Sequence, residues 1–209
     1  MRYKRVNLIV LMPAALLFLL PGCLGPAKSS PSRFYVLTSL YGAKTPPAPI
    51  ANLENVAIGV GPVRISGKLD RPQIVTATGE NEIRLSEFAQ WGDPLGSGIA
   101  RVLAENLSYL LNTEKVAIFP WLRASQTDFQ VTVDVADFIG TPGGNVLLRA
   151  WWTVFGENGR TELLKRYTNL SEPVTGDDIA AMVQTQSRTV EVLSRQIAEA
   201  IKALSQNKK

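Results

Sequence analysis

The sequence predicts a single α+β domain, in which an antiparallel-rich mixed β-sheet carries two principal α-helices packed on one face. Three observations predict it. Leu95–Leu111 and Asp177–Ser205 repeat apolar residues at helical spacing, so each has one face to bury. Between them, Phe129–Phe138 and Val146–Phe155 alternate apolar and polar residues, the period of half-buried strands. Short turn sequences join the strands that follow one another, as antiparallel neighbours require.

Taken in order, Arg33–Leu40 holds the block Phe34-Tyr35-Val36-Leu37 and reads as a first strand. Gly42–Asn52 contains Pro46, Pro47 and Pro49 and is an extended connection. Asn55–Val63 is β-rich, and Gln73–Ala77 and Glu82–Leu85 flank a turn at Thr78–Asn81. The first helix buries Ile99, Val102, Leu103, Leu107, Leu110 and Leu111, with Asp93 as its expected cap, Pro94 at its first position and Asn112 ending it. Val116–Phe119 is a brief strand stopped by Pro120. Thr141–Gly144 and Glu157–Arg160 are turns, the second built on the hairpin pair Asn158-Gly159. Thr161–Asn169 is a last strand nearer an edge. The final helix carries Ile179, Met182, Val183, Val190, Leu193, Ile197, Ile201 and Leu204 in one stripe that covers the sheet. Matching buried faces sets inward Val135 against inward Leu148, which places Asp134 opposite Arg149 on the outer face.

Composition removes much of the catalytic repertoire. The chain of 209 residues has no histidine and one cysteine, so it can build no His-based acid/base pair, no Cys/His zinc site and no internal disulfide. Gly59, Gly61, Gly67 and Lys68 only superficially suggest a phosphate loop, since Leu69 stands where a hydroxyl would hold magnesium. No spacing pairs Asp70, Glu80, Glu82 or Glu87 across a cleft. The expectation is a protein without enzymatic activity or cofactor. The net charge of +4 does not indicate nucleic-acid binding: residues 1–22 hold three of the 22 basic residues and none of the 18 acidic ones, leaving 19 against 18.

The amino terminus reads as an address. Met1–Arg5 is basic, and Leu8–Leu20 is an apolar run of 13 residues. As a helix it would reach about 20 Å, short of the roughly 30 Å hydrocarbon core. It ends Leu20-Pro21-Gly22-Cys23, which resembles a bacterial lipobox with Cys23 as the acylated residue. The organisation that follows is a signal peptide over 1–22, a lipidated tether over 23–32, a domain over 33–205 and a tail over 206–209. Leu24 follows the cysteine in place of the aspartate of inner-membrane retention signals, and this resemblance to lipoprotein sorting signals implies the periplasmic face of the outer membrane.

Candidate contact residues are few. Asp70 and Arg71 precede Pro72 in Leu69–Val75, where they either stabilise a turn or present Arg71 to a partner. Trp91 and Trp121 are either cover over a helix end or exposed anchors. The odd positions Leu147, Trp151 and Phe155 leave apolar side chains on the outer face, where they either meet a partner or lie under another part of the chain.

Arg33–Leu37, Ile58–Val63, Leu69–Val75, Trp91 with Pro94-Leu95, Arg101–Leu107, Pro120-Trp121, Gln130–Val135 and Ala150–Trp152 together resemble the PqiC-like auxiliary lipoproteins of ABC-type transport systems. The matches keep the family's order across nearly the whole mature chain. The resemblance implies a non-enzymatic subunit anchored in the outer membrane, working with a PqiB-like MCE-domain protein and inner-membrane transport components in lipid trafficking and envelope integrity. It transfers one defined functional position, Cys23. A lipoprotein assisting another outer-membrane assembly, a periplasmic lipid carrier and a homo-oligomer are alternatives that the residues leave open.

Overall fold

The alternation in the two long strands organises the domain. In the computed structural model, which describes residues 31–42, 45–121 and 126–207, these strands are β6 (Phe129–Gly140) and β7 (Asn145–Gly156). Phe129, Val131, Val133 and Val135 of β6 and Val146, Leu148, Ala150, Trp152 and Val154 of β7 are all buried on one face. β7 also pairs antiparallel with β8 (Thr161–Pro173), the longest strand, whose other edge carries no strand among the described residues.

The second edge of β6 is shared. β2 (Ile58–Ile65) runs parallel to it along Phe129–Val135, and β3 (Gln73–Ala77) meets it at Gly140. Beyond β2 lies β5 (Val116–Ile118). Beyond β3 come β4 (Ile83–Trp91), antiparallel to it, and then β1 (Arg33–Tyr35), parallel to β4. This is the mixed eight-stranded sheet of an α+β domain, and its longest ladders are antiparallel.

Two helices cover the buried face side by side. α1 (Leu95–Leu111) lies over β2 and β5, while α2 (Ile179–Gln206) lies over β6, β7 and β8. The expected apolar stripe of α1 is fully buried, and Asn112 ends the helix in the left-handed conformation with φ 48°. Its start differs from expectation: Pro94 is the cap residue, in an extended conformation, and no side chain caps the helix. Proline has no N–H and a fixed φ, so its ring sets the entry angle without Asp93 acting as a cap. Asp178 caps α2, accepting a hydrogen bond from Ala181 N at 2.7 Å. Gly140 permits the first turn of α2 to approach β6, since a Cβ there would sit 2.5 Å from Met182 Cγ.

The stripe of α2 carries hydroxyls among its hydrocarbons. Thr185, Ser187, Thr189 and Ser194 are buried, and each donates to a carbonyl three or four residues back. Ser187 also ties α2 to the segment after β1 directly, and Ser194 does so through Asn106 of α1. Thr38 N donates to Ser187 Oγ at 3.1 Å, and Leu40 N donates to Asn106 Oδ1 at 2.8 Å. Asn106 Nδ2 donates onward to Ser194 Oγ at 3.0 Å, and Arg101 Nη2 donates to Leu37 O at 2.9 Å. Leu37–Leu40 thus straps the two helices together.

Several expectations need correction. β1 stops at Tyr35, because the backbone of Leu37–Leu40 is engaged by this strap. β4 runs six residues past Leu85, across an irregularity opposite Gln73–Val75. The β6–β7 register is also shifted: Val135 faces Ala150, Asp134 faces Trp151, and Arg149 faces Asp137. The register is set at the turn, where Gly140 faces Val146; a bulge at Ala136 then inserts one residue before Asp137, and Asp134 and Arg149 share the outer face but not a pair. The turn after β7 spans Glu157–Arg160, with Glu157, Asn158 and Gly159 all at positive φ, and is not a two-residue hairpin.

Candidate partner-binding surfaces

The face of the sheet away from the helices holds the most distinctive side chains. The pairings Arg64↔Asp134, Asp134↔Trp151 and Trp151↔Tyr167 set one row across β2, β6, β7 and β8. Alternation sends Trp152 into the core and its neighbour Trp151 outward, where it is 48% exposed beside Tyr167 at 46%. The two rings lie 4.9 Å apart and tilted by 44°, and Lys165 Nζ stands 5.7 Å from the Trp151 ring centre. Arg64 and Asp134 approach to 3.6 Å, an exposed pair that contributes little to stability. Beside Trp151 a hollow of about 240 Å³ is bounded by Arg64, Ser66 and Asp134. Ser66 Oγ is buried and has no hydrogen-bond partner.

The neighbouring row is ionic. Asp137 is buried between Lys68, which donates to its Oδ1, and Arg149, whose Nε and Nη2 both lie 2.6 Å from its Oδ2. Burial raises the pKa of this carboxyl, and the two cations outweigh burial, holding it below the ordinary value of 3.8. A lowered carboxylate pKa stabilises the fold above the unfolded value, and the contribution is lost as pH falls through the folded one. We expect Asp137→Asn to cost roughly 1–2 kcal/mol at neutral pH, the lower range because both cations are partly exposed. Urea unfolding at pH 7 and at successive pH values below 3.8 tests this: the gap between wild type and variant should narrow progressively as the pH falls.

Three of the sequence-predicted contact residues come together elsewhere. Asp70, Arg71 and Trp91 line one cleft of about 320 Å³ at the start of α1. Asp70 is exposed on the β2–β3 connection, and Arg71 is half-buried, with its Nε lacking a partner. Trp91 is only 7% exposed and belongs to the hydrophobic core; its backbone N–H donates to Pro72 O at 2.7 Å, which fixes the cleft floor. Trp151 lies on the open face instead. Trp121 is half-buried, edge-on to Phe119 at 5.4 Å. Tyr167 was not foreseen, because β8 mixes charged and apolar residues on both faces and only its pairing with Trp151 reveals its place. Cys23 lies outside the described residues. Among those described, no three of His, Cys, Asp and Glu gather as a metal site, and no helix is long and apolar enough to cross a membrane.

Solved structures share this architecture. One, of an uncharacterized protein, superposes with a TM-score of 0.67 at 20% identity, covering 82% of this chain and 99% of that one. Another, from Xanthomonas campestris and assigned to the DUF330 family, gives 0.66 at 14% identity, covering 85% of this chain and all of that one. At these identities the likeness establishes the fold. No curated protein matches the sequence. Residues 35–198 match the family described as the ABC-type transport auxiliary lipoprotein component, and with most of the domain matched the chain belongs to that family.

Proposed function

We propose that this lipoprotein is held at the periplasmic face of the outer membrane by acylated Cys23 and receives the end of a PqiB-like MCE-domain conduit, within a lipid-transport system that maintains the envelope. The observation that carries the docking role is the exposed Trp151–Tyr167 pair on the sheet face opposite the helices. Interfaces are enriched in aromatic and arginine anchors with a polar surround, and Arg64, Asp134 and Lys165 supply that surround. Asp70 and Arg71 add a polar contact at the cleft whose floor Trp91 supports. The reading assigns no catalytic residue and no cofactor. A lipid carrier fits less well, because among the described residues a cleft of about 810 Å³ is lined by Glu54, Asn112, Glu114 and Lys115, and one of about 690 Å³ sets Ile83, Ile139 and Leu147 beside the ionic group of Lys68, Asp137 and Arg149.

Affinity capture from mildly solubilised envelopes, with mass identification of the bound proteins, tests the proposal. The expected result is recovery of an MCE-domain protein, reduced about tenfold or more by Trp151→Glu, as for an interface anchor. Recovery that Trp151→Glu leaves unchanged would remove the surface assignment. Repeated capture of a different assembly would overturn the transport role.

A further inference from the structure

A second apolar surface lies at the β1–β4 edge. β1 pairs with β4 through Arg33↔Ala89, Phe34↔Gln90 and Tyr35↔Trp91. Ala89 and Trp91 are buried, so Phe34, opposite Gln90, faces the other way and is 66% exposed. Phe88 and Val36 are exposed as well, each two residues along from this pair on its own strand or just beyond it. Val36 is seated against the backbone at Gly92, where a Cβ would meet its Cγ1 at 2.9 Å. Two phenylalanines and a valine held open to water beside one another mark a contact surface.

The length of chain that precedes this edge identifies what covers it. β1 is the first strand of the domain, and residues 24–32 separate it from Cys23. Nine residues extend at most about 30 Å, so an acylated Cys23 keeps β1 within that distance of the lipid. Tethering at such a range gives an effective concentration at which individually weak contacts become occupied. Aromatic and aliphatic side chains enter the headgroup region, and the exposed Arg33 on the same short strand favours anionic lipids.

We propose that Phe34, Val36 and Phe88 rest on the lipid surface, so that the membrane binds the domain through its β1–β4 edge as well as through the acyl chains; this rests on the lipidation of Cys23 proposed above. β8 stands at the other end of the strand path β1-β4-β3-β6-β7-β8, so this contact leaves Trp151 and Tyr167 open to a protein partner.

The test uses the acylated full chain in vesicles of phosphatidylethanolamine and phosphatidylglycerol. Cys23 is the sole native cysteine, so once it is acylated a Val36→Cys or Tyr167→Cys substitution provides the single free thiol for an environment-sensitive fluorophore. The expected result is a blue shift at position 36 and loss of most of its emission with doxyl-labelled lipid, with no change at position 167. Unshifted emission at position 36, in protein whose mass confirms acylated Cys23, overturns the lipid contact alone. A shift at position 36 that appears only after envelope proteins are added also overturns it, by assigning the edge to a protein. An N-terminal peptide of unacylated mass overturns the anchor on which the proposal rests.

Discussion

Trp152→Ala is expected to lower the free energy of unfolding by roughly 3–5 kcal/mol, the range for emptying a large aromatic site in a packed core. Trp152 is 1% exposed, flanked across the sheet by Val133 and covered by α2. Its polar end is equally placed: Nε1 donates to Thr168 Oγ1 at 2.9 Å, and that hydroxyl donates to Gln196 Oε1 at 2.6 Å. One side chain thereby links β7, β8 and α2. Trp152→Phe keeps most of the volume and removes the donor, so its expected cost is the smaller one of a single hydrogen bond, about 1 kcal/mol. Urea unfolding of the two variants separates these contributions. Equal losses would show that the hydrogen-bonded chain outweighs the ring's volume.

Replacing residues 1–23 with a cleavable secretory signal is expected to move nearly all of the protein from the membrane pellet to the soluble periplasmic fraction. Each buried acyl methylene contributes about 0.8 kcal/mol, so under the proposed acylation of Cys23 two or more chains would hold the protein firmly. Among the described residues no helix can replace that anchor by crossing the bilayer. Exchanging the whole leader avoids an uncleaved precursor, whose apolar run would itself retain the chain in a membrane. A protein that stays in the pellet after correct processing would show that the folded domain, and not Cys23, holds it there.

The elements differ in how openly their residues announce them. α1 was legible to its last residue because its stripe is purely apolar and Asn112 tolerates the left-handed cap. β6 and β7 were legible as strands, yet their register was not. Alternation cannot tell apart registers that differ by two residues, the turn sets Gly140 against Val146, and the bulge at Ala136 leaves no mark of its own. The end of β4, Ser86–Trp91, was hidden because its pairing with β3 is interrupted between Gln73 and Val75, and the irregularity breaks the two-residue period. The candidate surfaces follow the same logic. Trp151 was readable as outward because alternation divides it from Trp152, whereas Trp91 has no regular pattern around it and turned out to be core. Asp70 and Arg71 were legible as a connection, but their cleft depends on α1 beginning beside them.

The strap formed by Leu37–Leu40 also imposes an order of events on folding. Thr38 binds Ser187, 149 residues later, and Leu40 binds Asn106, which depends in turn on Ser194. While the chain emerges amino terminus first, this segment has no complete site to occupy until α2 has followed. The entropy of closing so long a loop is incurred before the contact rewards it, which makes this a slow and late step. Leu37–Leu40 therefore docks late although it is made early, after the helices it joins have formed.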